Sequence, residues 1–197
     1  MPAALGVLTL VSLFTGFAVI DAPRERVNGG GVDGFATTQA NRQLHLVNAH
    51  VYLVQKAVDP PNLVLRLGLS VSRATGSITQ VVGSLEDGTL RQEVIASPAL
   101  GLGPSAEAKL SIFRIGSALL SLDVSAAAML YDRPFPAGGM RYDGMFQVGP
   151  GVDFSSRPGQ HLALGVRWLH ISNGHGLSPR NPMFEGRGLV LRYVFPI

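Results

Sequence analysis

One stretch of the sequence combines residue types that can carry out acyl-transfer chemistry. In "LHISNGHGLSPRNPMFEG", residues 169–186, His170 and Ser172 are two positions apart and Glu185 follows further along. A serine hydroxyl is a weak nucleophile unless a neutral histidine takes its proton, and a carboxylate can hold that histidine in the required tautomer. These residues could therefore form the catalytic triad of a serine esterase, if the fold brings them together.

The same stretch has plainer interpretations. His170, Ser172 and Glu185 could be ordinary polar residues at the level of lipid headgroups, and Asn173 begins an Asn-Gly pair that is also a turn signal. His175 could bind a metal together with His170, but this spacing matches no known ligand pattern, which favours a solvated loop histidine. The choice depends on which way the flanking strands face.

The composition points towards a membrane. Of the 197 residues, 46% are hydrophobic and only 15% are charged, which is little charge for a soluble domain of this size. The absence of cysteine excludes disulfides, thiolate metal sites and cysteine nucleophiles. The net charge is +3 and the Lys and Arg residues form no basic run, so we expect no nucleic-acid partner.

The first 41 residues are predicted to lie outside the folded domain. The apolar run 5–20 is short for a membrane-spanning helix, which needs about 20 residues, so residues 1–22 are predicted to be a signal peptide. A buried first strand or an uncleaved anchor is the alternative. Residues 23–41, with the glycine-rich "NGGGVDG", are interpreted as a flexible lead-in rather than a phosphate-binding loop, because no Gly-Lys-Ser/Thr follows.

From residue 42 onward, apolar and polar residues alternate with the period of β-strands. In "NLVLRLGLSVS", residues 62–72, every second residue is Leu or Val, and residues 117–130 continue an apolar face in the same way. We place strands at 43–56, 62–73, 90–102, 104–115, 117–131, 142–155, 160–172 and 185–196.

Two architectures fit this alternation. A soluble sandwich or lipocalin-like barrel would put the apolar face inside, whereas an outer-membrane barrel puts it against lipid and keeps a polar lumen. The polar faces hold mainly Ser, Gly and Ala, not the Lys and Glu of a soluble surface. We therefore predict an all-β, eight-stranded antiparallel transmembrane β-barrel over residues 42–197, in the bacterial outer membrane.

Strand parity then bears on the polar stretch. If the last strand runs down into the periplasm, the loops near 57–61, 132–141 and 173–184 face outward. His170 and Ser172 share the face of Trp168, and Glu185 shares the face of Tyr193, so the polar residues are predicted on the lipid side of the outer rim. Residues i and i+2 are about 7 Å apart and cross-strand neighbours about 5 Å, which is close enough for a hydrogen-bonded set. Trp168 and Tyr193 also fit an aromatic girdle at the interface.

The carboxyl-terminal part of the chain resembles a known family. "HISN", a short loop, "NP" and Glu185 at the head of the final strand are similar to the signature of the outer-membrane lipid A 3-O-deacylase family, also called bacterial acyloxyacyl hydrolases. "YDRPFPAGGMRYDGMFQVGPGVDF" and "LALGVRWLHISN" resemble the preceding hairpins of that family. The resemblance covers about residues 125–197.

The resemblance implies an eight-stranded barrel that hydrolyses the acyl ester at the 3 position of lipid A, with no metal or cofactor. It implies that Ser172 is the nucleophile, His170 its base, Glu185 the carboxylate that orients His170, and Asn173 an oxyanion donor. Lipopolysaccharide would be the substrate, and the sequence leaves a homodimer open. The alternatives are a non-catalytic barrel serving adhesion or envelope integrity and a soluble lipocalin-like binder.

Overall fold

A computed structural model describes residues 12–13, 15, 18, 24–58, 62–82, 88–157, 160–173 and 182–196. No described helix is long and apolar enough to cross a membrane. The predicted signal peptide lies almost entirely outside the described residues. The strands are β1 (Arg24–Thr37), β2 (Arg42–Val58), β3 (Leu63–Val82), β4 (Arg91–Ala96), β5 (Ala99–Ile115), β6 (Ala118–Phe135), β7 (Met140–Arg157), β8 (Gln160–Ser172) and β9 (Phe184–Pro196).

Eight of these strands close into a ring. The order around it is β1-β2-β3-β5-β6-β7-β8-β9, each strand is antiparallel to its neighbours, and the pairing of β1 with β9 completes the circle. The short β4 stands outside the ring and pairs with Ser77–Val82, the end of β3 that extends beyond its pairing with β5. The prediction of an all-β, eight-stranded antiparallel barrel is confirmed.

The outer surface of the ring is apolar and the lumen is polar over much of its length. Large hydrophobic side chains that are exposed on the outside come from every strand of the ring, and they include Val32, Val51, Leu69, Leu102, Leu122, Tyr142, Leu164 and Leu191. Lipid can cover such a belt, whereas a soluble protein rarely exposes one. The Leu and Val residues of the alternating pattern therefore face lipid on the outside, whereas in a soluble barrel they would face the interior.

The two ends of the barrel differ in the length of their connections. At the end that carries residues 24 and 196, the connections are the short segments 59–62, 116–117 and 158–159. The two-residue turn at 116–117 uses Gly116 with a φ of 58°, a left-handed conformation that glycine adopts without steric cost. The opposite end carries the longer connection 173–183 and the segment 83–98 that contains β4.

Outer-membrane barrels have short periplasmic turns and longer external loops, so the end with the long connections is the outer end. The predicted outward position of the loops near 132–141 and 173–184 agrees with this orientation. The loop near 57–61 lies at the periplasmic end instead, so that prediction is wrong. The error follows from counting two ring strands over 90–115, where only β5 belongs to the ring.

The predicted flexible lead-in is also wrong in the structure, because residues 24–37 form β1 and the barrel begins there rather than at residue 42. Three of the four glycines of "NGGGVDG", residues 29–31, lie where neighbouring groups pack closely. A Cβ on Gly30 would lie 2.6 Å from the carbonyl oxygen of His50, and one on Gly31 would lie 2.6 Å from Cγ of Arg192. Glycine suits a strand where neighbouring groups approach this closely.

Strand β5 is the second place where the observed strands differ from the predicted ones. Separate strands are predicted at 90–102 and 104–115, but Ala99–Ile115 is one continuous strand. A Cβ on Gly103 would lie 1.8 Å from the carbonyl oxygen of Ala128 on β6, so glycine here permits contact between strands. The ring still has eight strands, because β1 was not predicted and makes up for the two predicted strands that form only one ring strand.

Ion pairs fill the middle of the lumen. Nη1 of Arg192 lies 2.8 Å from Oδ2 of Asp123 and 2.7 Å from Oε2 of Glu107. Arg66 donates to Glu107 at 2.8 Å, and Arg167 pairs with Asp123. All five side chains are buried, and buried charges are tolerated when each is paired and hydrogen-bonded. The network joins five of the eight ring strands: β3, β5, β6, β8 and β9.

The outer part of the lumen is filled by a hydrophobic cluster. Its larger members are Phe35, Leu44, Leu46, Ile78, Met129, Tyr131, Phe135, Met145, Leu169, Ile171 and Phe184. Phe135 packs against Tyr131 and Phe184, with ring centroids 5.0 and 6.1 Å apart. This cluster supports the inner side of β8 and β9, the two strands that carry the candidate site.

Candidate active site

The register of β8 and β9 brings two of the predicted site residues opposite each other. His170 is the Cα partner of Glu185 in this antiparallel pair. Leu169 and Ile171 point inward to the hydrophobic cluster, so His170 lies on the outward face between them. Because strand residues alternate between faces, the parity predicted from the sequence is confirmed.

His170 and Glu185 are in contact through their side chains. Nδ1 of His170 lies 3.3 Å from Oε1 of Glu185, with Nδ1–H as the donor and the carboxylate as the acceptor. This contact leaves the proton on Nδ1 and presents Nε2 as the basic nitrogen. Within the described part of the chain, Nε2 is buried and has no hydrogen-bond partner. His170 therefore has the orientation and tautomer that a general base requires.

Ser172 is two residues beyond His170 and is the last residue of β8. It lies on the same face as His170, and its Cα partner on β7 is Gly144. Since Nε2 of His170 has no partner among the described residues, Ser172 is not hydrogen-bonded to it in this state. In unliganded enzymes such bonds are often long and shorten when substrate binds. The structure thus forms the His–Glu half of the predicted triad and places the serine beside it.

The burial of these residues differs from the sequence-based expectation. The alternation predicts them on the lipid side of the rim, yet His170 and Ser172 are only 2% and 3% exposed, while the Glu185 side chain is 35% exposed. The Trp168 ring stacks on His170 with centroids 5.7 Å apart, and Phe146 packs edge-on against Trp168 at 6.0 Å. Strand parity fixes the direction of a side chain but says nothing about what covers it.

Asn173, the predicted oxyanion donor, follows β8 directly and is buried. Its position next to Ser172 places it at the same rim as the His–Glu pair. The oxyanion role itself stays a prediction. His175 lies outside the described residues, and within the described ones no three His, Asp or Glu side chains come together in a way that could hold a metal ion.

Three further residues near Glu185 are absent from the site predicted from the sequence. The backbone N–H of Glu185 donates to Oε1 of Gln39 at 3.3 Å, and its carbonyl accepts from the N–H of Thr38 at 3.1 Å. Arg42 donates to the carbonyl of Met183, and its charge interacts with that of Glu185. Thr38 and Gln39 lie in the predicted lead-in 23–41 and Arg42 directly follows it, so that prediction gives them no role at the site, although the polar "TTQANR" also fits a turn between two strands.

A second Ser–His–Asp set occurs inside the lumen. His50 donates from Nε2 to Oδ2 of Asp33 at 2.5 Å, and Ser70 contacts Nδ1 of His50 at 2.7 Å. All three side chains are buried, and the cavity beside His50 does not admit a water molecule. Without room for a substrate, this set stabilises the packing of β1, β2 and β3.

Two solved structures are similar to the chain in fold. The crystal structure of the outer membrane enzyme PagL is 16% identical with a TM-score of 0.49, and the match covers 86% of this chain and 99% of that chain. The solid-state NMR structure of outer membrane protein AlkL in DMPC lipid bilayers is 12% identical with a TM-score of 0.31, covering 91% and 95%. No family model and no curated protein matches the chain.

The location of the protein follows from its own surface. A closed antiparallel ring of eight strands with an apolar outer belt is the architecture that spans bacterial outer membranes. The chain is an outer-membrane β-barrel. The candidate site lies at its outer end, where β8 leaves the apolar belt.

Proposed function

We propose that this barrel is a lipid A 3-O-deacylase, a serine esterase that removes an ester-linked acyl chain from lipopolysaccharide. The observation that carries the proposal is the contact of His170 Nδ1 with Glu185 Oε1 at 3.3 Å, with Ser172 on the same face two residues away. The sequence resemblance over about residues 125–197 supplies the substrate class. An outer-rim position suits this substrate, because lipid A forms the outer leaflet around the barrel.

The reaction uses the three side chains in fixed roles. The Ser172 hydroxyl attacks the carbonyl carbon of the ester while its proton passes to Nε2 of His170. The bond between the carbonyl carbon and the sugar oxygen breaks, and the sugar oxygen takes that proton. Water then attacks the acyl-serine with His170 again as base, which releases the fatty acid and restores the serine. Glu185 stabilises the imidazolium that forms at each step.

The buried environment favours this chemistry. His170 is almost fully buried, and Trp168 restricts the rotation of the imidazole by stacking on it. Asn173 supplies a donor to the oxyanion in this proposal, since it is adjacent to the nucleophile. Lipid A itself provides the remaining contacts, and neither a metal nor a cofactor takes part.

The test is deacylation in a Gram-negative host whose lipid A retains its 3-O-linked acyl chain. Mass spectrometry of lipid A should show the loss of one acyl chain with the natural sequence and no loss with Ser172→Ala or His170→Ala. His45→Ala is the matched control, because His45 is an exposed histidine on β2 near the same rim. Heat-modifiable migration in gels checks that each variant forms a barrel.

Full activity in both Ser172→Ala and His170→Ala would rule out the triad. A folded natural protein that leaves lipid A unchanged would instead favour the non-catalytic barrel in adhesion or envelope integrity. The two outcomes can be told apart, because the first tests whether Ser172 and His170 are the catalytic residues and the second tests whether the protein deacylates lipid A at all.

A further inference from the structure

A groove on the outer wall of the barrel is separate from the candidate active site. It is lined by residues of β3, β5 and β6, including Arg73, Thr75, Leu100, Asp132 and Arg133, and has a volume of about 400 Å³. In the ring, β1 and β2 separate these strands from β9 on one side, and β7 separates them from β8 on the other. None of the residues that line the groove belongs to the candidate site around His170.

The groove begins where the apolar belt ends. On β3 the exposed outward residues Leu69 and Val71 are followed by Arg73, and on β6 the exposed Leu130 is followed by Asp132. Charged side chains that face lipid are costly at the bilayer centre and inexpensive at the interface. The groove therefore lies at the level of the lipid headgroups on the outer side.

The charges in the groove favour an anion. Arg73 has no ion-pair partner among the described residues. Nε of Arg133 lies 3.4 Å from Oδ2 of Asp132, in a pair whose side chains are 59% and 45% exposed. Oδ1 of Asp132 accepts from the N–H of Leu100 at 2.9 Å, so this carboxylate is held against the backbone. Two guanidinium groups and one carboxylate leave a net charge of +1.

We propose that this groove binds the phosphate group of a lipid in the surrounding outer leaflet. A guanidinium can donate two parallel N–H bonds to phosphate oxygens, which makes arginine well suited to such groups. The apolar belt directly below the groove, with Leu69, Val71 and Leu102 exposed, would contact the acyl chains of the same lipid. The groove thus matches both parts of a phosphorylated lipid, and the proposal does not depend on esterase activity.

The experiment measures binding of two lipids to the purified barrel in detergent. The Ser172→Ala protein is used, so that hydrolysis cannot alter the ligand. Lipid A with its phosphates should bind about tenfold more tightly than chemically dephosphorylated lipid A, and added salt should reduce this preference. In the Arg73→Gln, Arg133→Gln double variant the preference should fall below about twofold.

Arg91→Gln is the matched control, because Arg91 is exposed at the same rim on β4 and does not line the groove. It should keep the tenfold preference. Equal binding of the two lipids by the starting protein would overturn the proposal, as would a double variant that keeps the preference. Inorganic phosphate alone is the last arm: if it bound as tightly as the phosphorylated lipid, the lipid would be ruled out as the specific occupant. Failure here would leave the deacylation assay unaffected, so the two proposals are tested separately.

Discussion

At the scale of residues, the central feature is the contact between His170 and Glu185. The sequence predicts that both point outward, because their parity follows from the alternation along β8 and β9. Their pairing across the strands depends on register, which the structure settles by placing them as Cα partners. The burial of His170 could not be predicted, since it depends on neighbours such as Phe146 that lie on another strand.

Glu185→Gln should reduce the rate of deacylation by about 100-fold or more while the barrel still folds. A glutamine amide can present a donor to Nδ1 and so favour the wrong tautomer of His170, and it cannot balance the charge of the imidazolium. Turnover of purified lipid A in detergent would measure the effect. Glu93→Gln, at an exposed position on β4, should keep the full rate. A Glu185→Gln enzyme of unchanged rate would show that Glu185 does not orient the base.

At the scale of elements, the differences between expectation and structure concentrate in glycine-rich segments. The long alternating strands β3, β6, β8 and β9 could be predicted because each carries an unbroken apolar face. Strand β1 could not, because glycine is depleted in strands on average and its local pattern resembles a linker. Only the neighbours of Gly31, above all the buried Arg192, explain why glycine is required there.

Gly31→Val should destabilise the barrel, because its Cβ would lie 2.6 Å from Cγ of Arg192 and 3.0 Å from the carbonyl oxygen of Leu191. Overpacking of this kind costs roughly 1–3 kcal/mol. Urea unfolding of the refolded protein in detergent would measure the loss.

Gly34→Val on the same strand is the control. A Cβ at Gly34 would meet no atom within 4 Å, so this substitution should leave stability nearly unchanged. Equal stability of the two variants would mean that β1 does not pack against Arg192 as described.

At the scale of the whole molecule, the lumen is filled from the middle to the outer end. The ion pairs around Arg192 occupy the middle, and the cluster that includes Phe135 and Phe184 occupies the outer part. The alternation predicts that polar residues face the lumen. Which of them form ion pairs with one another depends on which strands face each other across the ring, and the alternation does not give that. An eight-stranded barrel has an interior just wide enough for side chains to fill.

The natural protein should therefore produce no stepwise ion conductance in planar bilayers. A large porin inserted under the same conditions would serve as the positive control. Steady single-channel steps from the purified barrel would contradict a filled lumen and would favour a transport role over surface catalysis.

The pairing of β1 with β9 has a consequence for biogenesis. These strands come from opposite ends of the folded chain, so their pairing closes the longest loop in the molecule and carries the largest entropic cost of closure. Gln39 and Thr38, which hold the backbone of Glu185, follow β1 directly. An assembly intermediate with an open seam would therefore lack these supports of the candidate site. If the proposed function holds, hydrolysis would begin only after the barrel has closed.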